Sequence, residues 1–179
     1  MNNQNNTEIK KQIESDVAKH IRVLRGKITK FLSEEKPSDV LIIKSHLICE
    51  YYINQVLIVK DSCTAKEITN LSFYDKVNKA FDTKNSEEKI LHDKMTGLNK
   101  LRNKVGHELE YVLSESDVDT LGYITGKEYV FNKYDYPEID GLLRNTLTMI
   151  VINVSMFLFE LISIEKRKQE ETSQTPEKG

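Results

Sequence analysis

One stretch limits this chain more than any other. From Ser38 to Lys60, apolar residues stand at Val40, Leu41, Ile42, Ile43, Leu47, Ile48, Tyr51, Tyr52, Ile53, Val56, Leu57, Ile58 and Val59. Wound into a helix, they cover most of the circumference, and such a helix is stable only with neighbours on nearly every side. The rest of the chain supplies them. Between Glu8 and Glu35, apolar residues at Ile9, Ile13, Val17, Ile21, Leu24, Ile28 and Phe31 recur at steps of three and four, the pattern of one amphipathic stripe. Pro37 ends that helix, because it has no N–H to donate and restricts the residue before it. With 7 Gly and 3 Pro in 179 residues, the turns an all-β sandwich needs are missing. The expected fold is an all-α bundle of four to five main helices.

Further helix starts are written as caps. Ser72 with Asp75 opens a short helix reaching Phe81, Asn85 with Glu88 opens a longer one, and Ser114 with Asp117 another that Gly122 ends. Tyr123 to Tyr136, with Thr125-Gly126 at its centre, reads as a loop or small hairpin excursion. Pro137 starts a last helix running to Lys166. Its Leu147–Ile164 run has the length of a membrane span, but Asn153, Ser155, Glu160 and Ser163 are costly in lipid, so it reads as a core or interface helix. Polar residues 1–7 and 168–179 are expected as disordered tails flanking one domain over residues 8–167.

The balance of 26 Lys+Arg against 28 Asp+Glu excludes a coat-like nucleic-acid binder while leaving room for a local basic site. Cys49 and Cys63 lie at no metal-like spacing, His20 and His92 have no ligand-like partners, and no phosphate-cradling glycine loop is present; neither metal nor cofactor is expected. Nothing resembles a signal peptide, and a reducing cytoplasm is the expected location.

Chemistry concentrates in one place. Arg102 falls by helical rotation in the middle of the stripe Leu91, Met95, Leu98, Val105, Leu109. A guanidinium there needs an anion: either a buried carboxylate, for which Glu50 is a candidate, or a ligand in a cleft. His107 follows five residues on, and Gly106 between them offers a left-handed turn that would bring the imidazole round towards Arg102. His46, Glu50 and Asn54 form a polar line on the otherwise apolar Ser38–Lys60 helix. A solvent-facing edge explains that line; so does a polar cleft against the helix that carries Arg102.

Arg102-Asn103-x-x-x-His107 at a helix end resembles the R-x4-6-H motif of HEPN domains (higher eukaryotes and prokaryotes nucleotide-binding), and the helical layout from Glu8 to Lys166 is similar. The resemblance implies an HEPN-like bundle acting as a metal-independent RNA endonuclease in a toxin–antitoxin or phage-defence system. His107 would be the general acid or base and Arg102 the holder of the scissile phosphate. Asn103 would support them, with Glu50 and His46 behind, and the products would carry 2′,3′-cyclic phosphates. It further implies a homodimer with a composite cleft, RNA as substrate, and an antitoxin or defence partner protein. The competing reading is a non-catalytic HEPN-type module for dimerisation or for binding a partner or nucleotide. One departure is Tyr111: members paired with a nucleotidyltransferase antitoxin carry a tyrosine two residues after the histidine, whereas Tyr111 lies four after His107 and reads as a core aromatic with its hydroxyl at the surface.

Overall fold

The computed structural model describes residues 19, 22–23, 26–27, 30–31, 37–108, 111–121 and 139–174. The chain divides into two units, Met1–Glu34 and Glu35–Gly179. In the first, every described residue is helical, as the Glu8–Glu35 stripe predicts, and Val23 is exposed. The expected excursion at Tyr123–Tyr136 lies outside the described residues.

The second unit is all-α. Among the described residues it holds α1 (Ser38–Asp61), α2 (Ala65–Thr69), α3 (Phe73–Ala80), α4 (Ser86–His107), α5 (Glu115–Leu121) and α6 (Ile139–Gln174). Helix α1 begins right after Pro37 and occupies the centre, with Leu41, Ile42, Cys49, Tyr52, Ile53, Val56 and Leu57 fully buried. It packs against α6, α4 and α3. The caps form as the sequence predicts. Asn85 Oδ1 accepts the backbone N–H groups of Glu87 and Glu88, and the Ser72 hydroxyl accepts that of Asp75. Ser114 and Asp117 close a reciprocal box at the start of α5, the serine hydroxyl accepting from Asp117 N and the carboxylate from Ser114 N. Helix α2 was not anticipated, although Thr64 and Glu67 make the same box.

Side chains tie the helix ends together. Ser38 Oγ donates to Asp140 Oδ1 at 2.5 Å, so α1 and α6 set out from the same end of the bundle. At the other end, Lys60 Nζ reaches both the Ala80 carbonyl (3.1 Å) and Glu88 Oε2 (2.8 Å). Phe81 meets Phe157 there at 5.4 Å between ring centroids. Gly97 brings α4 onto α5: a Cβ at this position would stand 2.7 Å from the Thr120 carbonyl oxygen.

Helix α6 runs past the expected end at Lys166, and residues 168–174, read from sequence as part of a disordered tail, continue it. They are mostly good helix formers, and Lys168 pairs with Glu165 at 2.7 Å. Leu142, Leu143, Leu147, Ile150, Val151, Val154 and Leu158 bury one face, while Met156 and Phe159 stand exposed on the other. By length and composition the helix is sufficient to cross a membrane, and 33% of its most apolar window is buried inside the bundle.

Candidate functional site

Two members of the polar line on α1, His46 and Glu50, meet neighbouring helices, while Asn54 Oδ1 is buried without a hydrogen-bond partner among the described residues. His46 is only 5% exposed, and its Nε2 lies 3.1 Å from Oδ1 of Asn99 on α4. Its ring also stacks against Phe73 of α3, with centroids 4.0 Å apart. One turn along α1, Glu50 Oε1 accepts from Lys76 Nζ at 2.6 Å, tying α1 to α3. Burial pushes the His46 pKa below its ordinary value; Asn99 and Glu50 oppose this in part, and the positive charges of Arg102 and Lys76 add to it. Arg102 is therefore near enough to act on His46 electrostatically. Asn99, which meets His46, was missed from sequence. The available signal was its place one turn before Arg102, on the face turned to α1.

Arg102 itself departs from expectation. It is exposed, and Nη1 donates to Asn103 Oδ1 at 3.0 Å. The buried set on α4 is Leu91, Met95, Gly97, Leu98 and Leu101. Past Met95 the covered face thus swings towards α5, where Gly97 allows close approach, and the Arg102 side chain stays exposed. The buried Arg102–Glu50 pair does not form either, since Glu50 is engaged by Lys76.

Gly106 does not turn the chain. Helix α4 continues through it to His107, and Glu108 caps the end with extended backbone at φ −108° and ψ 106°. A residue that tolerates the left-handed region adopts it only where the next residues gain by it; here the Glu108 N–H bonds the Lys104 carbonyl at 3.0 Å and the helical turn is kept. His107 is exposed. On one straight helix five residues amount to a rotation of about 140°, so Arg102 and His107 of the same chain point apart.

Beyond His107 the chain folds back on α4. Asp117 is 5% exposed, and Oδ1 accepts from Lys104 Nζ at 2.8 Å while Oδ2 accepts from the Ser114 N–H at 3.0 Å. Burial alone would raise its pKa, but the Lys104 ammonium and the Ser114 hydroxyl and N–H outweigh that and hold the carboxyl well below the usual range. The Tyr111 hydroxyl is not at the surface as expected; its oxygen is buried, and burial first, then the Asp117 charge, pushes the phenol above its ordinary value.

A cavity of about 540 Å³ opens beside this end of α4, between Val105, Glu108 and Tyr111 and the starts of α1 and α6. Among the described residues its wall carries Asp39, Glu108 and Asp140 and no basic side chain, a setting that disfavours phosphate. Cys49 and Cys63 are buried free thiols. His92 is taken up by Asn78 and Asp93.

No protein-family model matches the chain, and neither does any curated protein or any solved structure.

Proposed function

We propose that the chain is a metal-independent, HEPN-type RNA endonuclease serving as a toxin or phage-defence effector. The observation that carries the reading is the exposure of Arg102 and His107 on the last turns of α4, with the half-buried Asn103 held against Arg102 and the His46–Asn99 contact on the same helix. A planar guanidinium braced by Asn103 suits the non-bridging oxygens of a phosphodiester. An exposed imidazole suits proton transfer at the ribose 2′-OH or at the leaving 5′-oxygen.

The unbroken helix favours the composite cleft. One chain directs its Arg102 and His107 to different sides, whereas two chains related by a two-fold axis can set the arginine of one beside the histidine of the other. An apolar stripe on α1, made by Leu47 (51% exposed), Tyr51 (39%) and Ile58 (42%), adjoins the His46–Glu50 line and supplies a surface for that pairing. The protein then acts on RNA as a homodimer in the cytoplasm, with α6 as a bundle helix, under the control of an antitoxin or defence partner.

The same divergence of Arg102 and His107 also fits the second reading, a module that binds RNA or a nucleotide without cutting it. Purified protein incubated with single-stranded RNA in EDTA decides between them. Cleavage leaving 2′,3′-cyclic phosphate ends, lost in His107→Ala, supports the enzyme; RNA binding without cleavage supports the module. Growth inhibition on expression that persists unchanged in His107→Ala would remove His107 from the mechanism.

A further inference from the structure

Helix α4 is poorly anchored where it matters most. Leu101 is its last buried residue, and Gly106 has open space where a side chain would stand. The final carbonyls of any helix lack intrahelical partners, so an unpacked last turn frays. Among the described residues, one side-chain hydrogen bond ties the stretch from Arg102 to Glu108 to another element: Lys104 Nζ to Asp117 Oδ1 at 2.8 Å. The two carboxylate oxygens have separate tasks. Oδ2 belongs to the cap of α5 through Ser114, and Oδ1 faces α4. Asp117 is buried while Lys104 is half exposed, so the carboxylate is the fixed member and the lysine the part that moves with the helix. Helix α5 is in turn set against α4 by the Gly97–Thr120 approach, which gives the carboxylate a rigid base.

We propose that Lys104 and Asp117 are positioning residues, forming a latch that holds the last turn of α4 and with it the place of His107. Neither touches substrate. The pair fixes the imidazole in space as a buried carboxylate and a helix cap acting together, a task that a solvent-facing lysine pairing with solvent-facing acids would not perform. The catalytic consequence rests on the ribonuclease reading; the structural consequence does not.

The test combines Lys104→Met, Asp117→Asn, their double variant and Lys104→Arg, each read by amide hydrogen exchange and by RNA cleavage. A latch predicts that both single variants lower protection of the Gly106, His107 and Glu108 amides by about tenfold, leaving Leu91 to Leu98 unchanged. It predicts a kcat lowered by about tenfold with KM nearly constant, no further loss in the double variant, and recovery in Lys104→Arg. Unchanged protection at residues 106–108 would overturn the proposal. So would losses that add in the double variant, since they would mean that Lys104 acts on RNA directly. If Asp117→Asn fails to fold for want of its cap, Lys104→Met and Lys104→Arg carry the test. If the wild type cuts no RNA, the ribonuclease reading falls, and amide exchange alone judges the latch.

Discussion

Arg102 and His107 stand on one unbroken helix, five positions and about 140° apart, and both face solvent. A single phosphate cannot sit between them in one chain without the helix end unwinding.

The two residues should complement across chains. Arg102→Ala and His107→Ala are each expected to lower RNA cleavage by about 10²-fold or more. In an equimolar mixture half of the dimers are mixed and each retains one intact pair, so about a quarter of the wild-type rate should return. Initial rates before and after subunit exchange measure this. No recovery would place Arg102 and His107 of the same chain at one phosphate.

Breaking the α1 stripe should break the assembly. Leu47→Glu with Ile58→Glu places charge on an exposed apolar surface without touching the core. Light scattering is expected to show a shift from dimer to monomer, circular dichroism to stay helical, and cleavage to fall with the dimer fraction. A monomeric variant with full activity would contradict the composite cleft.

The two glycines of α4 should respond oppositely to alanine. At Gly97 the new Cβ would lie 2.7 Å from the Thr120 carbonyl oxygen, and relieving it moves α5. Gly97→Ala is expected to cost about 1–3 kcal/mol, as overpacking does. Gly106 is helical with nothing within 4 Å, so Gly106→Ala should stabilise the protein by about 0.5–1 kcal/mol. Denaturant melts test both; a destabilised Gly106→Ala would restore the left-handed turn that the sequence suggested.

Acid should weaken the fold through His46. Its folded pKa lies below the ordinary 6.5, so the unfolded chain takes up the proton first. The stabilisation by the neutral ring is complete above 6.5 and is lost as pH falls through 6.5 towards and past the folded value. Below that window a third cation would join Arg102 and Lys76. His46→Gln, which keeps a donor for Asn99, is expected to flatten this part of the stability–pH curve. Equilibrium urea melts at pH 5 to 8 read the slope; equal slopes in both proteins would rule out His46 as its source.

Local chemistry was legible from sequence because it acts over three or four residues. Asn85, Ser72 and Ser114 each meet a backbone donor two or three positions on, and Pro37 interrupts any helix through it, so boundaries followed without knowledge of any neighbour. The central place of α1 was equally plain, since its apolar girth leaves no solvent face wide enough for a surface helix. The surroundings of Arg102 were of another kind. Periodicity states the direction in which a side chain leaves its helix, not what stands there, and the swing of the covered face towards α5 depends on Gly97 meeting Thr120 from 23 residues away. The His46–Asn99 contact spans 53 positions and the Glu50–Lys76 pair 26, distances over which no local rule selects a partner. Gly106 marks the same boundary. The sequence by itself permits a turn there, and the hydrogen bond from Glu108 to Lys104 in the folded chain keeps it helical.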